Sequence, residues 1–308
     1  MSVFTRKLNL AQLNQLGGST PCWLDELFQF WAPAGSGARP SGAAPLRLAI
    51  RDNYVNFYIN GQSVAKVAMG PQALNALVHE KYFQPDAGIR KGMGQKYCRL
   101  SGKSNERGNS GQVSKWMQVA ATYKGQEKSF VEELVANNPN VIDLEMALPS
   151  LAGERSAARV DLVALEPAGE GWRLVFWEAK MATNKETSAR GDVAPKVVSQ
   201  REKYYKWMQA NKDLALGAYT QVCRDLVDIH GRVVQNGLGD GLHDLGEGIR
   251  QVAEGRPLVL DDEIRLVIGD WDPNGSFDKN GHRKKLADLM IVQVVAPDGD
   301  RRLQSKDA

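Results

Sequence analysis

The most constraining stretch of this 308-residue chain is residues 159–180, two runs of β-forming residues around Pro167-Ala-Gly-Glu-Gly171. Arg159-Val-Asp-Leu-Val-Ala-Leu165 and Trp172-Arg-Leu-Val-Phe-Trp-Glu-Ala-Lys180 are rich in β-branched and aromatic residues, and a Pro/Gly cluster punctuates them. That combination predicts a β-hairpin. A turn centred between Gly169 and Glu170 sets its register and places Asp161 directly across from Glu178. Opposed residues in an antiparallel pair have β-carbons about 4.5–5.5 Å apart. Lys180 falls on the face of Glu178, because side chains alternate along a strand, while Trp177 and Ala179 face the opposite way into packing.

Two carboxylates held this close repel each other unless a cation sits between them. An all-oxygen donor set with room for water suits Mg²⁺, with Mn²⁺ able to substitute. A neighbouring lysine orients or activates water and offsets charge building up on phosphorus, while the ion polarises a phosphoryl oxygen. The constellation is therefore one for phosphodiester hydrolysis.

Asp161…Glu178-Ala-Lys180 resembles the D…(D/E)xK core of the PD-(D/E)XK, or restriction-endonuclease-like, nuclease superfamily. The order of elements over residues 127–204 is similar too: a helix with a glutamate, a strand, the Asp strand, the ExK strand, then a helix. Gln200-Arg-Glu-Lys-Tyr204 resembles the QxxxY element of the RecB-like branch, where that helix borders the site and contacts substrate. Val160 stands where the superfamily's namesake proline would precede Asp161. The resemblance implies a Mg²⁺-dependent deoxyribonuclease with Asp161 and Glu178 on the metal and Lys180 handling water. Gln200 and Tyr204 would line the substrate side. It also implies a setting in prokaryotic phage defence, restriction or DNA repair. RNA is an alternative substrate, and a non-catalytic DNA-binding or assembly module retaining the fold is an alternative function.

A third acidic ligand has two candidates. Glu127 lies within the apolar stripe Phe130, Val131, Leu134 and Val135 of a helical run, from which Glu132 and Glu133 point away. An acidic residue on an inward face fits a metal site, and it equally fits the positive end of the helix dipole. Glu145, in the next strand, is the reserve.

The rest of the chain frames this region. Leu8 to Trp31 suggests one or two short helices, and Ala32 to Pro45 a Pro/Gly/Ser/Ala-rich loop. Leu46–Ile50, Tyr54–Ile59 and Ser63–Val67 alternate with period two, punctuated by Asn-Gly at 60–61, and predict a β-meander. A helix is expected around Pro71 to Glu80. Helical patterns over 196–210, 214–230 and 242–253 precede a strand–helix–strand return over 264–295. The expected architecture is α/β: a mixed central sheet flanked by helices, the restriction-endonuclease-like core, over residues 121–308. A smaller N-terminal α+β domain containing the meander occupies residues 1–120.

Charge is nearly balanced, with 39 basic and 36 acidic residues, so any nucleic-acid surface must be local. Residues 88–128 carry nine lysines and arginines against Glu106 and Glu127. This segment is either a solvated linker or a phosphate-binding arm, with Lys96, Arg99 and Lys103 as contacts. Arg201, on the helix after the motif, adds to the basic side. Cys22, Cys98 and Cys223 are scattered and odd in number, which points to a reducing, cytoplasmic setting. No apolar run is long enough for a membrane helix. A protein partner or a homodimer is compatible with the sequence. Asp270-Trp-Asp272-Pro-Asn274-Gly275 imitates a calcium loop, but Gly281 stands where the bidentate glutamate belongs, so a turn is expected.

Overall fold

The computed structural model describes residues 4–16, 23–37, 44–69, 74–82, 97–99, 112–149, 159–188, 191 and 193–306. Its N-terminal part opens with a 3₁₀ turn, Leu10–Gln15, and helix α1, Trp23–Phe30. An antiparallel sheet of five strands follows: β1 (Arg47–Ile50), β2 (Tyr54–Ile59), β3 (Gln62–Met69), β4 (Leu74–His79) and the three-residue β5 (Tyr97–Arg99). Asn60 and Gly61, at φ 46° and 64°, make the tight turn between β2 and β3, as the Asn-Gly pair predicted.

Two expectations need correction here. The segment expected as a helix around 71–80 is strand β4, hydrogen-bonded between β3 and β5. Ala76 and Val78, two apart, are both fully buried, so the working period is two. The basic segment 88–128, expected as a linker or an arm, also contains a helix. Gln112–Ala121 forms helix α2, because Val113, Trp116, Met117 and Ala120 recur at helical spacing and all four are buried. Lys96 and Lys103 lie outside the described residues. Arg99 ends β5, and its side chain is outside them as well.

The second sheet begins after α3 (Gln126–Asn137) and has the order β10-β9-β8-β7-β6. Its strands are β6 (Val141–Ala147), β7 (Arg159–Ala168), β8 (Gly171–Met181), β9 (Leu258–Gly269) and β10 (Val292–Val295). The first three pair antiparallel; β9 and β10 add in parallel. Between β8 and β9 run α4 (Lys196–Gln235) and α5 (Glu247–Ala253), and two short helices, α6 (Ser276–Lys279) and α7 (His282–Ala287), precede β10. The two helical runs read from sequence meet within α4 at Asn211, where φ −129° and ψ 18° leave the helical region.

Alternation along β7 and β8 sorts the core. Leu162, Ala164, Val175, Trp177 and Ala179 pack with Phe130 and Leu134 of α3. Val163, Leu165, Leu174 and Phe176 face the other way, into a cluster holding Tyr204, Trp207 and Tyr219 of α4. The hairpin is thus sandwiched between α3 and α4. That second cluster also includes Phe28, Phe57 and Val67 of the N-terminal part, so one continuous apolar core joins the two sheets. A buried ion pair crosses the same junction: Arg51 bonds Asp143, whose other oxygen accepts from the Tyr219 hydroxyl at 3.0 Å. Glu132, off the apolar stripe of α3, reaches across to Arg47 of β1 at 2.7 Å. No helix among the described residues is long and apolar enough to cross a membrane.

Candidate active site

The β7–β8 register runs from Ala168↔Gly171 at the turn to Leu162↔Trp177, so the next pair outward is Asp161 and Glu178. Gly169, at φ 56°, takes the left-handed turn position, and a side chain at Gly171 would strike the Pro257 carbonyl. Glu178 and Lys180 share the parity of Phe176 and therefore face α4.

Lys180 is the hub. Its Nζ lies 2.6 Å from Glu178 Oε1, 3.8 Å from Glu127 Oε1 and 3.9 Å from Asp161 Oδ2. Asp161 also accepts the Ala179 amide at 2.8 Å, which fixes its carboxylate against the neighbouring strand. Glu127 comes from the first turn of α3, and Asn184 holds its second oxygen, Nδ2 to Oε2, at 2.8 Å. The structure thus brings together Asp161, Glu178, Lys180 and Glu127. Glu145 is not in the set around Lys180; its ion-pair partner is Arg159 at 3.6 Å. It nonetheless stands beside Asp161 across β6–β7, with a left-handed φ of 49°.

The α4 residues split in role. Tyr204 is buried at 3% exposure; its hydroxyl donates to the Arg159 carbonyl and reaches Glu178 Oε2 at 3.4 Å. Gln200 bonds Glu186, and its Oε1 is buried without a hydrogen-bond partner among the described residues. Arg201 pairs with Glu263 at 3.2 Å, both about one-third exposed, so it sits at the rim rather than in the site.

Electrostatics follow from this crowding. Burial and then the charge of Glu178 push the Asp161 carboxyl well above its usual range, against the pull of Lys180 and the Ala179 amide. Glu178 is also raised, chiefly by burial, although Lys180 and Tyr204 oppose it. Burial works against the Lys180 charge, but Glu178 and then Asp161 outweigh it, and the ammonium is held more firmly than usual. Three carboxylates face one ammonium, so the ionised cluster is short of positive charge. Among the described residues no group of three or more His, Cys, Asp or Glu stands in a metal-holding arrangement; the carboxylates gather round the ammonium instead.

Two members went unnoticed in the sequence, Asn184 and Glu186. The signal was present: Asn184 Oδ1 accepts the Glu186 amide at 2.9 Å, the turn chemistry of an Asn two residues before its partner. Lys196, bonded to Glu186 at 2.6 Å, then lowers the Glu186 pKa. The false calcium loop is a turn, with Asp272 accepting from the Phe277 amide at 2.7 Å and the Ser276 hydroxyl at 2.8 Å. Comparison with protein-family models, curated proteins and solved structures finds no match for the chain.

Proposed function

We propose that this protein is a Mg²⁺-dependent nuclease of the PD-(D/E)XK kind, with a restriction-endonuclease-like core, cleaving phosphodiester bonds in DNA. The observation that carries the reading is the convergence of Asp161, Glu178 and Glu127 on the Lys180 ammonium. The donor chemistry suits a hard divalent cation, in that three carboxylates share one ammonium and the cluster lacks positive charge, although their oxygens are now turned to Lys180. Asp161 and Glu178 would hold the ion, with Glu127 as third ligand kept in line by Asn184. A bound Mg²⁺ supplies Lewis acidity toward a phosphoryl oxygen.

The chain's own groups do the rest. Lys180, held protonated by its neighbours, donates to the water or to a non-bridging phosphate oxygen and offsets the charge that develops there. Tyr204 buttresses Glu178 from α4. Gln200 stands beside Glu186 with a buried amide oxygen that has no hydrogen-bond partner among the described residues. The tight Lys180–Glu178 pair also supports a second reading, a DNA-binding module whose carboxylates are merely neutralised.

One experiment separates them: incubation of the protein with linear, circular and single-stranded DNA, with and without Mg²⁺ or Mn²⁺. Cleavage that needs the ion and is lost in Asp161→Ala, Glu178→Ala and Lys180→Ala is expected. Lys180→Ala should keep Mn²⁺ binding, because an ammonium is not a ligand. Cleavage at the wild-type rate by Glu178→Ala would end the nuclease reading.

A further inference from the structure

On one side of the candidate site a cleft of about 690 Å³ opens between the turn after β8 and the α6–α7 pair. That volume lies within the range in which clefts enclose small ligands. Asn184, Lys185 and Ser188 form one wall, and Ser276, Asn280 and His282 the other. The described lining carries a lysine, an imidazole, hydroxyls and amides, but no carboxylate. It adjoins a cluster built from three carboxylates. The neighbouring surfaces are thus chemically opposite, one suited to a cation and the other to an anionic, hydroxyl-bearing group.

Asn184 belongs to both. It lines the cleft, and its amide holds Glu127, whose other oxygen faces Lys180 at 3.8 Å. The walls are tied together, since Lys285 of α7 donates to the Gly191 carbonyl on the opposite lip at 2.5 Å. From this geometry we infer that the cleft seats one nucleotide unit, phosphate and sugar together, of a nucleic-acid strand whose next phosphate lies at Lys180. The inference rests on the nuclease reading for the identity of that second phosphate. Lys185 and His282 meet the phosphate charge, and Asn280, Ser188 and Ser276 the sugar and base edges.

Binding is measured on the full-length protein in EDTA, by fluorescence anisotropy with a 5′-labelled single-stranded dT12. Lys185→Ala combined with His282→Ala should weaken binding about tenfold, in line with the loss of charge-assisted hydrogen bonds. The log–log salt slope should fall by about 0.7 for each phosphate contact removed. Thr183→Trp, at an exposed position on the cleft wall, should weaken binding by filling the space while every charge is kept. Thymidine monophosphate should displace dT12 at concentrations where inorganic phosphate does not. Unchanged affinity in both variants, or equal competition by phosphate, overturns the assignment. If the wild-type protein cleaves DNA while the cleft variants keep KM and affinity, the cleft fails and the nuclease reading stands. If the variants lose affinity and no ion supports cleavage, the nuclease reading fails and the cleft stands.

Discussion

Lys180 and Glu178, two residues apart on strand β8, form an ion pair of 2.6 Å with both side chains almost wholly buried. Such a pair is costly to bury and costlier to break, because the orphaned partner stays in a poor solvent. Removal of the lysine would leave three carboxylates facing one another.

The raised carboxyls make metal-free stability depend on pH. Asp161 and Glu178 both titrate above their ordinary values when folded, so the folded chain binds more protons than the unfolded one in that window. Their contribution is complete below about pH 4, the unfolded range for carboxyls, and is lost as pH rises through the folded values. In EDTA, the wild-type urea midpoint should therefore fall with rising pH relative to that of Asp161→Asn. Added Mg²⁺ should flatten the difference. A wild-type advantage that grows with pH would contradict this.

Tyr204→Phe tests the buttress from α4. Since Tyr204 is a core residue and not a surface one, loss of its hydroxyl should cost about 0.5–1.5 kcal/mol of stability. It should also slow cleavage per folded molecule, because Glu178 loses a hydrogen bond. Full activity with a lowered melting temperature would make Tyr204 purely structural.

Arg265 of β9, paired in register with Trp177, offers a control on the face of the sheet opposite to Glu178. It is fully buried and bonds Asp261 at 2.5 Å and Glu166 at 2.6 Å. Arg265→Met should destabilise by about 3–5 kcal/mol, chiefly through the uncompensated Asp261 carboxylate, since Glu166 keeps Arg173 at 2.8 Å. Denaturant titration measures it, and activity per folded molecule should persist.

The basic arm is tested by salt. If it holds phosphates, the triple change of Lys96, Arg99 and Lys103 to alanine should lower the log–log salt slope on duplex DNA by about 2–3 units. An identical slope would make the segment a linker.

The sequence by itself determined what depends on short separations. The Gly169 turn and the alternation of β7 and β8 set the register that brings Asp161 opposite Glu178 and Lys180 onto its face. The helical spacing of Phe130, Leu134 and Val135 likewise fixed the inward face of α3. Only the tertiary structure decided which glutamate joins that pair. Glu127 and Glu145 are equally acidic in sequence, yet the packing of α3 across the hairpin carries Glu127 to Lys180, while β6 leaves Glu145 with Arg159. Strand β4 is decided in the same way. Leu74–His79 can bury alternate residues or a helical stripe, and the hydrogen bonds offered by β3 and β5 select the strand. Local periodicity settles pairs a turn apart, whereas contacts such as Tyr219 with Asp143, 76 residues distant, exist only once the layers have packed.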